Sequence, residues 1–100
     1  MYLGVFSNAE LIVKGKNTFN SNGFAGMYSF LNSNTNLEVN VESSATLKSC
    51  GNAVGDIVGD VSASSTLEFS GDGYTCNQNK VDFTGPGAGN VVEPDCQDCP

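Results

Sequence analysis

The four cysteines are the side chains of this sequence with the most specific chemistry: Cys50, Cys76, Cys96 and Cys99. An even number of cysteines in a chain without histidine is typical of disulfides formed in an oxidising compartment. Free thiols and a zinc site are the alternatives. Only Cys96 and Cys99 have the spacing of a zinc-ligand pair, and a four-cysteine site needs two such pairs. The sequence therefore predicts disulfides and no metal ligands.

Two glutamates, Glu38 and Glu68, occupy the same place in the similar segments 37–41 and 67–71, and Ile12 holds that place one segment earlier. Two adjacent carboxylates can bind calcium, or act as an acid–base pair in which one pKa is raised. The alternative is a pair of hydrated surface residues. Three aspartates lie near glycines without the spacing of a calcium loop: Asp56, Asp60 and Asp72.

Four aromatic residues recur at matching positions along the chain: Phe6, Phe19, Tyr28 and Tyr74. We interpret these rings as core residues or corner stacks. The alternative is a sugar-binding platform, since the hydroxyls of Tyr28 and Tyr74 are able to face outward.

The composition excludes several classes of function. The chain has 100 residues, with four Lys or Arg against eleven Asp or Glu, and its net charge is −7. Nucleic acids and anionic membranes require basic clusters. Without His or Arg, imidazole catalysis, histidine metal sites and bidentate phosphate clamps are excluded, so we expect no catalytic residues and no cofactor. No apolar stretch reaches the roughly 18 residues that a membrane helix needs.

An internal repeat predicts the architecture of the chain. Three kinds of segment recur in the same order. The first occurs at 3–7, 25–29 and 54–58, the second at 11–15, 37–41 and 67–71, and the third at 18–23, 46–51 and 74–77. Three short strands per turn at such a period are typical of a solenoid.

Within the second segment, apolar and polar residues alternate as in a strand with one buried face. Leu11, Leu37 and Leu67 are predicted to share one inward column. The sequence therefore predicts an all-β fold, a right-handed parallel β-helix of about three coils. An antiparallel β-sandwich is the alternative, although it does not explain why three different segments recur in order.

The repeat also predicts which cysteines pair. Cys50 and Cys76 lie in the third segments of successive coils, 26 residues apart, so stacking brings their Cα atoms to about 5 Å. Asn22 holds the equivalent place one coil earlier, where a stacked amide is the ordinary solution. We predict a Cys50–Cys76 bridge, which leaves Cys96 and Cys99 to bridge each other or to pair with a neighbouring chain.

The alternating pattern divides the chain into two parts. Residues 1–80 are predicted to form the coils, and residues 81–100 an irregular linker or capping tail containing Gly, Pro and Cys. The chain opens inside a repeat, without the polar cap that solenoid ends normally have. We therefore expect the C-terminal part of a longer solenoid that continues into further coils.

Several short runs resemble extracellular right-handed β-helix repeat proteins of the pectate-lyase-like fold, of the kind seen in diatoms and other marine algae. These runs are 26–29, 47–52, 71–76 and 96–100. The resemblance implies parallel coils, in either a polysaccharide lyase or hydrolase or a non-catalytic adhesin. The lyases of that fold use calcium-binding acidic residues with an Arg or Lys base, and the hydrolases use Asp clusters near a His. Since this chain lacks Arg and His, no catalytic residue is carried over.

These patterns predict a non-catalytic extracellular structural or adhesive β-helix segment. The expected partners are polysaccharide or other surface glycans, with no nucleic acid and no membrane insertion. Two alternatives stay open. One is the remnant of a polysaccharide lyase or hydrolase whose active site lies outside this chain, and the other is a calcium- or glycan-binding module.

Overall fold

The computed structural model describes residues 1–20 and 23–100. Within these residues the chain has eleven β-strands, two short 3₁₀ helices and no α-helix. The strands are β1 (Tyr2–Val5), β2 (Ala9–Val13), β3 (Lys16–Asn20), β4 (Ala25–Leu31), β5 (Asn36–Val41), β6 (Thr46–Cys50), β7 (Gly55–Val61), β8 (Thr66–Gly71), β9 (Tyr74–Cys76), β10 (Val81–Thr84) and β11 (Val91–Val92). The 3₁₀ helices are Gln78–Lys80 and Ala88–Asn90.

The strands form three parallel sheets, and successive turns of the chain add strands to each sheet. The first sheet has the order β1-β4-β7-β10, the second β2-β5-β8-β11 and the third β3-β6-β9. All of these pairings are parallel. The fold is therefore an all-β parallel solenoid of about three turns, as the repeat predicts. An antiparallel β-sandwich is excluded.

The register of the second sheet differs from the prediction at its first strand. Leu37 and Leu67 lie opposite each other, as predicted. In β2, however, the residue opposite Leu37 is Ala9, not the predicted Leu11. Leu11 lies opposite Val39, two positions further along. A shift of two residues keeps a side chain on the same face, so Leu11 still packs against the core, but the predicted Leu11–Leu37–Leu67 column is wrong.

Alternate residues of each strand point inward and stack on the same position of the next coil. The buried columns include Met27 with Ile57, Leu31 with Val61, Leu37 with Leu67, Val39 with Phe69, and Leu47 with Tyr74. Full burial of one such side chain contributes about 1.5–3 kcal/mol relative to exposure. The stack is therefore stabilised mainly along its axis, by contacts between coils.

Asn and Ser occupy tight corners between strands, as their local hydrogen bonding favours. Asn34 and Ser64 hold equivalent corners between the first and second sheets, with φ angles of 60° and 61°. The hydroxyl oxygen of Ser65 accepts the backbone N–H of Thr35 at 3.1 Å and donates to the carbonyl of Asn32 at 2.5 Å. These bonds join the same corner of two successive coils.

Residues 81–100 continue the stack as a looser turn. β10 pairs with β7 and β11 with β8, and Gln97 bridges Thr75 of β9. Backbone hydrogen bonds of 3.0 and 2.9 Å join Gln97 to Cys76 and Tyr74, and Pro94 is fully buried. The segment interpreted as a linker or capping tail thus packs on the last coil, and its first strand, β10, begins at Val81 and extends the first sheet.

Candidate functional site

All four cysteines form disulfides, but not in the predicted pairs. Cys50 is bonded to Cys99 and Cys76 to Cys96, with Cα–Cα distances of 6.1 and 5.3 Å. The predicted Cys50–Cys76 bridge is wrong because Cys76 lies opposite Ser49, which places Cys50 one residue further along. Successive residues of a strand point to opposite faces. Cys76 is therefore fully buried in the core, whereas Cys50 is partly exposed on the other face.

The two bridges hold the end of the chain against the third sheet. They span sequence separations of 49 and 20 residues, for which the chain-entropy relation gives about 4 and 3 kcal/mol of stabilisation. Cys96 and Cys99 are bonded to β9 and β6, so the predicted bridge between them is also wrong. Asn22, which was predicted to hold the equivalent place one coil earlier, lies outside the described residues.

Three glutamates form an outward column on the second sheet, which we call the acidic column. Glu10 lies opposite Glu38, and Glu38 opposite Glu68. Ile12, predicted to precede Glu38, lies opposite Asn40 instead, because the two-residue shift of β2 moves Glu10 into its place. The predicted alignment is right for Glu38 and Glu68 and wrong for Ile12.

A ladder of hydrogen-bonded polar side chains runs beside the acidic column. Asn8 Oδ1 accepts the backbone N–H of Asn36 at 3.0 Å. Thr66 Oγ1 donates to Asn36 Oδ1 at 2.5 Å. Together with the glutamates, these side chains line a shallow surface groove of about 480 Å³.

The neighbouring carboxyls of the acidic column affect the ionisation of Glu38. The pKa of Glu38 is raised above its usual value, chiefly by a hydrogen bond with the Glu10 carboxyl and further by desolvation and by the charges of Glu10 and Glu68. A carboxyl can donate such a bond only when it is protonated. In residues 1–20 and 23–100, no group of three or more His, Cys, Asp or Glu side chains is placed to hold a metal ion.

Five aromatic side chains occupy the outer surface of the first sheet, which we call the aromatic face: Tyr2, Phe6, Phe24, Tyr28 and Phe30. Tyr2, Phe6 and Phe24 are 70%, 72% and 51% exposed. Single exposed rings are common on protein surfaces, whereas a contiguous group of them usually marks an interaction site.

The rings of the aromatic face form two rows. Tyr2 and Tyr28 are stacked, with centroids 5.3 Å apart and planes 10° from parallel. The ring of Phe24 lies 5.6 Å from that of Tyr28 and is tilted by 38°. In the second row, the centroids of Phe6 and Phe30 are 6.3 Å apart. Rings of neighbouring coils thus pack against each other and leave much of their apolar surface open to solvent.

The aromatic residues singled out in the sequence divide between core and surface. Tyr74 is fully buried; its hydroxyl donates to the carbonyl of Ser70 at 2.7 Å, and burial raises its pKa to about 12. Phe19 packs against the core. The core interpretation is right for these two residues. Phe6 and Tyr28 are not core residues: they belong to the aromatic face, where each packs against a ring of the neighbouring coil.

Two aspartates extend the aromatic face across the first sheet. Asp60 lies opposite Phe30. The pKa of Tyr28 is raised by burial and, next, by the negative charge of Asp60. Asp82 is exposed and lies opposite Val58, which in turn lies opposite Tyr28. Carboxylates and aromatic rings therefore share one surface.

A third aspartate, Asp56, is buried near the start of β7. Its carboxylate accepts the side-chain amide of Asn52 at 3.0 Å and the backbone N–H of Asn77 at 2.9 Å. Ser49 Oγ donates to the carbonyl of Asp56 at 2.6 Å. Since its partners come from two successive coils, Asp56 ties the coils together and does not face a ligand.

Comparisons with protein-family models, curated proteins and solved structures find no match to this chain. The resemblance to pectate-lyase-like proteins is therefore supported at the level of the solenoid architecture alone. Among the helices of the described residues, none has the length and apolar character to cross a membrane. The fold and its surfaces define a class: a disulfide-bonded parallel β-solenoid that displays an aromatic face and an acidic column.

Proposed function

We propose that this chain is a non-catalytic structural or adhesive β-solenoid segment of an extracellular or cell-surface protein, and that it binds surface glycans. The observation that carries the proposal is the aromatic face. Burial of apolar surface contributes about 25 cal/mol of free energy for each Å² removed from water, and the exposed rings lack this contribution. A glycan offers the apolar C–H faces of its sugar rings, which cover such a surface while the hydroxyls stay hydrated.

The solenoid suits an adhesive role because it holds the binding rings in place. Neighbouring parallel strands are about 4.8 Å apart, and the coils are bonded along the whole length of the first sheet. Side chains that are already ordered lose little entropy when a ligand binds. A repetitive polymer is thus matched by a repetitive, rigid surface.

The disulfides support the extracellular setting. Both bridges join cysteines far apart in sequence, and no cysteine is free. Stable disulfides of this kind persist in oxidising compartments and are rare in the cytosol of most organisms.

The residues present favour binding over catalysis. The chain contains no His, and the Glu10–Glu38 pair lies on an open groove of the second sheet. An exposed carboxyl pair lacks the water-excluded environment in which acid–base groups are most effective. The enzyme-remnant alternative places its active site in another part of a larger protein, so the full open reading frame would test it.

Calcium binding is the second candidate function, favoured by the alignment of Glu38 and Glu68, although no three acidic side chains of the described residues are placed to hold an ion together. Calcium takes six to eight oxygen ligands in most proteins. Calorimetric titration of the oxidised protein with calcium tests this function. Heat that disappears in Glu38→Gln would support it, and a flat titration would remove it.

Glycan binding is tested by co-sedimentation of the oxidised full chain with insoluble polysaccharides, followed by titration with soluble oligomers. The informative variant is Tyr2→Ala combined with Phe6→Ala, because both rings are strongly exposed and contribute little to the core. We expect the affinity for the retained glycan to fall at least about tenfold.

The matched control is Ile12→Ala, which removes an apolar side chain that is 45% exposed on a different sheet. Binding by this variant should equal that of the unmodified chain. The proposal fails when no glycan is retained, or when the control weakens binding as much as the aromatic variant does. Circular dichroism of each variant verifies that the β-fold is intact.

A further inference from the structure

We infer that the aromatic face takes a cationic amino-sugar chain, whose ammonium groups pair with Asp60 and Asp82. This inference rests on the proposed glycan-binding function and names the chemical class of the glycan. It combines two features of one surface: exposed rings at the β1 side of the first sheet, and carboxylates toward its β10 side.

The carboxylates follow the rings along the direction in which the strands stack. Asp60 lies one strand beyond Phe30, and Asp82 lies two strands beyond Tyr28. At about 4.8 Å per strand, a polymer lying across the sheet meets apolar rings first and negative charge one or two strands later. A single extended ligand can therefore contact both.

The negative charge of the protein favours a positively charged ligand. The chain carries a net charge of −7. Three of its lysines lie in or beside the second and third sheets: Lys14, Lys16 and Lys48. Lys80 precedes β10, and its Nζ donates to the carbonyl of Ala53 at 3.1 Å. Uronate or sulfated glycans would be repelled by Asp60 and Asp82, whereas a protonated amino sugar is attracted.

The aromatic rings complement an amino sugar in two ways. An ammonium group is attracted to the face of an aromatic ring, and the C–H face of the sugar covers the same apolar surface. A lysine-rich peptide would satisfy the carboxylates equally well. However, the most exposed rings, Tyr2 and Phe6, lie at the β1 edge of this face, whereas Asp82 lies at the β10 edge. The surface therefore favours a ligand with apolar area along its whole length.

The test compares soluble β-1,4-linked glucosamine and glucose oligomers of equal length. The oxidised full chain is titrated with each at mildly acidic pH, where the amine is protonated, and at low and high salt. We expect the glucosamine oligomer to bind at least about tenfold more tightly, with a preference that shrinks at high salt. Asp60→Asn combined with Asp82→Asn should abolish the preference and leave binding of the glucose oligomer unchanged. Asp72→Asn, an exposed carboxylate in the turn before β9, is the control.

Equal affinity for the two oligomers, or a preference that survives in the double Asp variant, overturns this inference and leaves the proposed function standing. Failure of every glycan to bind overturns both. An oligolysine peptide of equal charge provides the last comparison. If it binds as tightly as the glucosamine oligomer, and binding is unaffected by Tyr2→Ala with Phe6→Ala, the surface recognises charge alone and the inference is wrong.

Discussion

Ser49 donates its hydroxyl to the backbone carbonyl of Asp56 at 2.6 Å, and this bond joins β6 to β7 across a buried corner. The hydroxyl oxygen also accepts the side-chain amide of Asn52 at 3.1 Å. Ser29 is equally buried, but its hydroxyl has no hydrogen-bond partner in the part of the chain that the structure describes. We therefore expect replacement by alanine to have opposite effects on stability at these two positions.

Ser49→Ala should lower the free energy of unfolding by about 1–3 kcal/mol, because it leaves buried polar groups without a partner. Ser29→Ala removes an unpaired hydroxyl from the core, so we expect its effect to lie between neutral and about 1 kcal/mol of stabilisation. Urea unfolding of both variants under oxidising conditions measures the difference. Equal destabilisation by the two substitutions would contradict the hydrogen-bond assignment.

Gly26 permits the same corner to close. A Cβ at this position would overlap Ser49 Oγ and lie 2.6 Å from Asn52 Nδ2. Gly26→Ala should therefore cost about 1–3 kcal/mol of stability through overpacking. Gly23→Ala is the control, because no atom of the residues that the structure describes, apart from its chain neighbours, lies within 4 Å of the added methyl group, and thermal unfolding should show little change. A tolerated alanine at position 26 would mean that the corner is looser than described.

The disulfide connectivity has a direct chemical test. Mass spectrometry of a non-reduced protease digest should recover the Cys50 peptide linked to Cys99, and the Cys76 peptide linked to Cys96. Replacing the first pair by alanine should cost about 4 kcal/mol and the second about 3 kcal/mol, with an added cavity cost at buried Cys76. A Cys50 peptide linked to Cys76 would instead restore the pairing predicted from the repeat.

The acidic column predicts a dependence of stability on pH. Since the pKa of Glu38 is raised in the folded protein by its bond with Glu10, the folded state binds this proton more tightly than the unfolded chain. The contribution is therefore full at acidic pH and is lost as pH rises above the ordinary carboxyl range and through the raised pKa.

Glu38→Gln removes this titration, so its thermal midpoint should decline less than that of the unmodified chain over the same pH range. Glu42→Gln changes an exposed carboxyl outside the column and should keep the decline. A decline that is identical in all three proteins would show that the hydrogen bond with Glu10 does not raise the pKa of Glu38.

The sequence was sufficient for the fold because alternation is strict where the coils are regular. Leu37 with Leu67, and Glu38 with Glu68, are aligned in the structure as the repeat predicts. The register of Leu11 could not be found in this way. Every second residue of β2 near it is apolar, and a slip of two residues keeps all side chains on their faces.

The cysteine pairing failed for a different reason. β9 has only three residues, too few for alternation to show that Cys76 points inward while Cys50 points outward. The path of the tail depends on contacts between distant residues, which a repeat pattern does not contain. The aromatic face did have a signal: Phe24, Tyr28 and Phe30 are in phase with each other and out of phase with the core residues Met27 and Leu31.

The bond between Cys99 and Cys50 has a mechanical consequence. A pulling force applied to the chain on the C-terminal side of Cys99 enters β6 through covalent bonds alone. The force does not pass through the strands between these two cysteines, so these strands are not detached from their sheets one after another. Tension would instead load the hydrogen bonds that hold the third sheet together, several of them at the same time. Reduction of this one disulfide would move the loaded point from β6 to β9, because the Cys76–Cys96 bridge still bypasses residues 77–95.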